Sequence, residues 1–138
     1  MRHVLREQGL EGVVEVDSAG TGAWHVGNGP DVRSAAAALV RGIRLDGAAR
    51  QVAAGDFTVF DMVLAADGDN RRALLALAAD DPARSRVRML REFDAEAAGN
   101  LDVPDPYYGG EDGFEDVLDI VERSCRGLLE HLRAEGRV

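Results

Sequence analysis

The chain has 138 residues, 46% of them hydrophobic and 30% charged, which is the balance of a single soluble globular domain. It has no run of the roughly 18 apolar residues that a membrane span needs, and no apolar core of a signal peptide near its start. The net charge of −9 and the dispersed arginines argue against nucleic acid as a partner. One cysteine, Cys125, and three scattered histidines indicate neither a disulfide framework nor a metal or cofactor site.

The first part of the chain predicts a helix, a strand, a loop and a second helix. Residues 1–9 have the composition of a short helix that Gly9 ends, and residues 13–17 are a β-branched run that predicts a strand. Residues 18–22 are rich in glycine and small side chains, which indicates a loop. The second helix is expected to start at Pro30 and Asp31, because apolar residues then recur at helical spacing. These residues are Val32, Ala35, Ala36, Leu39 and Val40.

The rest of the chain alternates strands with helices. Residues 61–66 are nearly all apolar and suit a strand buried on both faces of a parallel sheet. Residues 86–90 predict another strand, and the alternating arginines around it, up to Arg91, resemble its solvent-facing side. A long amphipathic helix is predicted from the apolar positions Phe114, Val117, Leu118, Val121, Cys125, Leu128 and Leu132. This order predicts one three-layer α/β domain over residues 1–138.

The polar stretch from 93 to 112 is the first candidate for chemistry. Loops longer than about 12–15 residues in a compact domain are usually functional or disordered. Pro104 and Pro106 flank Asp105 and restrict its backbone, which would aim one carboxylate with little entropy to lose. Composition alone leaves two interpretations open, a catalytic carboxylate or an ordinary turn residue.

Three stretches together resemble the low-molecular-weight protein tyrosine phosphatases. They are VDSAGTGAWHVGNGPDVR (16–33), ARQVAAGDFTVFDMVLAAD (49–67) and DVPDPYYGGEDGFEDVLDIVE (102–122). The resemblance implies a three-layer fold around a parallel four-stranded sheet. In that fold the first, interior strand is missing here, so the domain is expected to be incomplete at its N-terminus.

The resemblance also implies roles for individual residues. Asp105 would be the catalytic general acid and base in hydrolysis through a phosphocysteine intermediate. Trp24 and Tyr107 would bind the substrate by flanking its aromatic ring. Ser18 would support the phosphate-binding loop from behind, although an ordinary turn hydroxyl is an equal alternative. Tyr108, the neighbour of Tyr107, would also support the site from behind, with a surface position as the alternative.

The family's C-x5-R-[ST] loop, which holds the nucleophilic cysteine and the phosphate, has no counterpart in this sequence. Cys125 is expected to be a buried structural residue, since it lies in the apolar stripe of a helix and His131 stands six positions later. Three interpretations follow: a fragment of an active enzyme, a natural pseudophosphatase that binds without turnover, or a relative of the arsenate reductases. The last needs redox cysteines and is disfavoured.

The predicted substrate is a phosphotyrosine protein or a small aryl phosphate, and the predicted location is cytoplasmic. No nucleic acid, membrane, metal or cofactor is expected as a partner. A homodimer is left open. As written, the chain is expected to be inactive.

Overall fold

The computed structural model describes residues 1–23, 26–106 and 112–138. Across these ranges the regular elements are, in chain order, α1 (Arg2–Glu7), α2 (Val32–Val40), α3 (Asp56–Val59), β1 (Val63–Ala65), α4 (Gly68–Leu77), α5 (Asp81–Ser85), β2 (Val87–Met89), a 3₁₀ helix (Leu90–Phe93) and α6 (Gly113–Ala134). None of the helices in the described ranges has both the length and the apolar character needed to cross a bilayer.

The sheet is parallel, as the sequence predicts. β1 and β2 pair with Val63 opposite Val87 and Ala65 opposite Met89. α4 and α5 lie between the two strands in sequence, which gives the helical crossover that parallel strands require. The prediction of an α/β fold with a parallel sheet is therefore confirmed.

Residues 13–17 do not form the predicted strand. Residues 11–13 form a turn, and 15–19 run on without regular hydrogen bonding. The pairing described for this region is one isolated parallel bridge between Gly20 and Gln51. The β-branched run favours an extended backbone, but a ladder needs a neighbouring strand, and no described segment pairs with these residues. The strand prediction was wrong for this reason.

α2 forms as predicted but turns a different face inward. Its buried residue is Ala38, whereas Val32, Leu39 and Val40 are 82%, 62% and 86% exposed. Arg41, just after the helix, explains the orientation, because its guanidinium contacts three acidic side chains of α6. They are Glu115 at 2.6 Å, Asp119 at 2.9 Å and Glu122 at 3.2 Å. Apart from the half-buried Ala35, the predicted apolar stripe thus faces outward.

The buried apolar residues fall into two clusters. The sheet cluster joins β1 and β2 to α3, α4 and α5: Phe57, Ala65, Leu74, Ala78, Ala83 and Met89. The helix cluster joins α1 to α6: Val4, Leu5, Cys125 and Leu129. Val14 and Val16 are partly buried against the helix cluster, so the 13–17 segment is held there by its side chains.

Candidate active site

The loop that carries Asp105 is hydrogen-bonded to the residues that follow the carboxyl end of β1. The N–H of Val103 donates to the carbonyl of Ala66 at 2.7 Å. The carboxylate of Asp102 accepts the N–H of Gly68, the first residue of α4, at 2.8 Å. In open α/β folds, the carboxyl edge of the parallel strands is where ligands usually bind. The loop is therefore held at the edge of the sheet where a site is expected.

A second group of contacts reaches the same loop from the end of β2. Nη1 of Arg91 donates to the carbonyl of Asp102 at 2.9 Å, and its Nε donates to the carboxylate of Asp94 at 3.2 Å. The side chain of Arg91 is only 7% exposed and that of Asp94 is fully buried. Arg91 does not lie on the solvent-facing side of a strand, as its spacing had suggested, because the chain turns into a 3₁₀ helix at Leu90.

Asp105 itself is exposed, between Pro104 and Pro106. The chain after it returns close to α6, where the carbonyl of Pro106 lies against Gly113 so closely that a β-carbon at 113 would overlap it. Glycine is required at this position by the close approach of the two backbones. The described ends of the loop are thus fixed on both sides of an exposed carboxylate.

Ser18 belongs to a different group of contacts. Its N–H donates to the carboxylate of Asp17 at 2.8 Å, and Asp17 also accepts from Nε of Arg50 at 3.1 Å. Arg50 binds Asp56 through both terminal nitrogens, at 3.0 and 3.1 Å. The hydrogen bond from Arg50, followed by that from the N–H of Ala53, lowers the pKa of Asp56 below its usual value. Asp17, Arg50 and Asp56 are therefore paired with one another in the described structure.

Comparisons with known proteins agree with this architecture. Residues 1–138 match the sequence model of the family described as low molecular weight phosphotyrosine protein phosphatase. The low molecular weight protein-tyrosine-phosphatase of Streptomyces coelicolor is 48% identical over 96% of this chain and 83% of its own length. The chain belongs to the low molecular weight phosphotyrosine protein phosphatase family.

Solved structures of the family have the same fold. A protein tyrosine phosphatase from Entamoeba histolytica, crystallised with Hepes in its active site, superposes with a TM-score of 0.89 and 34% identity, covering 99% of this chain and 86% of that one. YfkJ from Bacillus subtilis gives a TM-score of 0.86 and 36% identity, covering 97% and 82%. The expected family and fold are therefore confirmed.

Three of the predicted site residues lie outside the described residues. Trp24, Tyr107 and Tyr108 fall in the two gaps at 24–25 and 107–111. Their assigned roles stay predictions. Asp105 and Ser18 lie within the described residues, and each belongs to a different group of contacts.

Cys125 lies away from the candidate site around Asp105. It is 5% exposed and packs in the helix cluster with Val4, Leu5 and Leu129. It is twelve residues beyond Gly113, the first residue of α6, which is about 18 Å along the helix axis at 1.5 Å per residue. Among the described residues, no group of three His, Cys, Asp or Glu side chains is placed to hold a metal ion.

Sequence reasoning missed the buried pair of Asp94 and Arg91. Both Nε and Nη2 of Arg123 on α6 also donate to Asp94, at 3.0 and 3.3 Å. The hydrogen bond from Arg123 is the largest cause that lowers the pKa of the Asp94 carboxyl, and burial opposes it. The spacing of three between Arg91 and Asp94 was the available signal. The partner 29 positions later is found only once α6 has packed.

Proposed function

We propose that this chain carries the general-acid part of a protein tyrosine phosphatase site, with Asp105 as the catalytic carboxyl. The observation that supports it is the loop's placement: an exposed carboxylate between two prolines, with hydrogen bonds just upstream to the segments that follow both strands. A phosphotyrosine protein as substrate and a cytoplasmic location belong to the same proposal and rest on the family resemblance.

The proposed chemistry has two steps. A cysteine thiolate of the family's C-x5-R-[ST] loop attacks phosphorus, the P–O bond to the phenol breaks, and Asp105 gives its proton to the leaving oxygen. Water then attacks the phosphocysteine, Asp105 takes a proton from that water, and the S–P bond breaks to release phosphate. Trp24 and Tyr107 flank the ring, and Ser18 and Tyr108 support the site.

The 138 residues contain no C-x5-R-[ST] sequence, and their cysteine is buried in the helix cluster. We therefore infer that this chain by itself does not hydrolyse phosphate esters. The purified chain is expected to hydrolyse para-nitrophenyl phosphate no faster than buffer, because the nucleophile and the phosphate-binding donors supply the largest part of the rate. Vanadate-sensitive turnover by this chain would contradict the inference.

The role of Asp105 is tested after a family-type strand and C-x5-R-[ST] loop have been joined ahead of Met1. In that protein, Asp105→Asn should lower the hydrolysis of phenyl phosphate by about 10²-fold or more, because a poor leaving group needs the proton. Para-nitrophenyl phosphate should be affected far less. Asp116→Asn, which removes an exposed carboxylate in the first turn of α6, is the matched control. Equal losses with both substrates would remove Asp105 from the acid role.

A second candidate is a pseudophosphatase that binds without catalysis. It is supported by the acid loop (residues 102–112), whose described first residues are hydrogen-bonded to the rest of the fold within this chain. Titration calorimetry with a phosphotyrosine peptide separates the two. If the chain is a binding module, it binds the peptide saturably by itself, and joining the strand and C-x5-R-[ST] loop ahead of Met1 gives no activity. A fragment of an enzyme binds only after the extension.

A further inference from the structure

The buried carboxylate of Asp94 contacts one residue that precedes the acid loop in sequence and one that follows it. Asp94 accepts hydrogen bonds from Arg91, which reaches the start of the loop, and from Arg123 on α6, the helix that follows the loop. It also accepts the N–H of Glu96 at 3.0 Å. Its side chain is fully buried, so these donors replace solvent around the charge.

Net stability relative to apolar residues of similar size does not explain why Arg91 and Asp94 form a buried ion pair. A buried ion pair is weak evidence for stability, because desolvation of both charges offsets much of their attraction, and apolar residues of similar size often replace such pairs without loss. What distinguishes this pair is its third contact. Nη1 of Arg91 donates to the carbonyl of Asp102, three residues before Asp105.

The contact at Asp102 is transmitted to Asp105 by a short, stiff segment. Between the two aspartates lie Val103, whose N–H is bound to Ala66, and Pro104, whose ring fixes φ. A shift of the Asp102 carbonyl therefore moves the Asp105 carboxylate. Displacements of about 1 Å at a catalytic group can lower a rate by about 10²-fold.

The other end of the loop depends on the same carboxylate. Asp94 binds Arg123 on α6, and α6 packs so closely on the 3₁₀ helix that a β-carbon at Gly127 would overlap the carbonyl of Phe93. α6 begins at Gly113, directly against Pro106. The position of the helix that follows the loop is thus coupled to the position of the loop's first residues.

We propose that Arg91 and Asp94 are positioning residues for the general acid: Asp94 orients Arg91, and Arg91 fixes the loop through the carbonyl of Asp102. The proposal rests on the proposed role of Asp105. Its test measures the loop directly and needs no turnover, so its failure is distinguishable from a failure of the Asp105→Asn experiment.

The experiment is amide hydrogen exchange on the full 138-residue chain, measured residue by residue by NMR for Asp94→Asn and Arg91→Lys. The probe is the N–H of Val103, and the reference is the N–H of Leu74, buried in α4. We expect exchange at Val103 to accelerate at least about tenfold more than at Leu74, because hydrogen bonds to charged groups are the stronger ones.

Arg133→Lys is the matched control, since Arg133 makes a surface ion pair with Glu130 at 2.9 Å and should leave Val103 unchanged. Equal acceleration at Val103 and Leu74 would mean a purely structural role and would overturn the proposal. So would unchanged exchange at Val103. If Asp94→Asn does not fold, Arg91→Lys, which keeps the positive charge, tests the proposal alone. Equal acceleration at Val103 and Leu74, or unchanged exchange at Val103, would again overturn it.

Discussion

The loop around Asp105 and the segment around Ser18 differ in what holds them. The Asp105 loop is bound through its backbone to residues that follow both strands, by the N–H of Val103 and the carbonyl of Asp102. The Ser18 segment pairs with another part of the backbone at the isolated Gly20 bridge, and its Val16 carbonyl accepts from Nη2 of Arg2 at 2.7 Å. Its other contacts with the fold are made by its side chains. Extended backbone becomes fixed structure only where neighbouring groups satisfy its N–H and C=O groups.

Substitutions of the two closely packed glycines on the acid-loop side should destabilise the fold most. Gly127→Ala should lower the free energy of unfolding by about 3 kcal/mol, because a β-carbon there overlaps the carbonyl of Phe93. Gly113→Ala should destabilise in the same way through the carbonyl of Pro106. On the Ser18 side, a β-carbon at Gly12 meets nothing within 4 Å, so Gly12→Ala should stay within about 0.5 kcal/mol. Urea denaturation measures all three, and an unaffected Gly127→Ala would contradict the packing of α6.

A smaller effect is expected on the way the free energy of unfolding depends on pH. Asp94 and Asp56 have pKa values in the folded protein below their usual values, through Arg123 and Arg50 respectively. Each therefore stabilises the fold above the unfolded pKa of about 3.9, and that contribution is lost as the pH falls through the lower, folded pKa.

The Asn variant at either position should thus differ most from the parent near neutrality, and the difference should shrink below about pH 4. We expect the larger difference for Asp94→Asn, because its side chain is fully buried while that of Asp56 is 14% exposed. Unfolding curves at a series of pH values measure this. A difference that grows on acidification would have the wrong sign.

The sequence predicts those elements whose hydrophobic pattern is compatible with only one secondary structure and one buried face. α6 was expected from Phe114 to Leu132 and extends from Gly113 to Ala134, because its apolar stripe is flanked by charged residues. The nearly all-apolar run at 61–66 predicted β1 for a related reason, since such a run suits burial on both faces.

The sequence does not decide features that depend on a neighbour. α2 is apolar on nearly all sides, so periodicity alone cannot choose its buried face, and Arg41 binding to α6 makes the choice. The β-branched run at 13–17 specifies no strand without a partner. At the site, Pro104 and Pro106 pointed to Asp105, whereas the contact of Asp94 with Arg123 exists only in the packed chain.

Native-state amide exchange of the unmodified chain compares the start of the acid loop, whose N–H groups donate hydrogen bonds, with residues 14–16, whose N–H groups donate none in the described structure. The N–H groups of Val103 and Gly68 should exchange slowly, because each donates a hydrogen bond within the fold. Those of Val14, Glu15 and Val16 should exchange faster. Protection at Val14 to Val16 equal to that at Val103 would show that backbone hydrogen bonding does not distinguish the two regions, and rapid exchange at Val103 would show that the fold does not hold the acid loop.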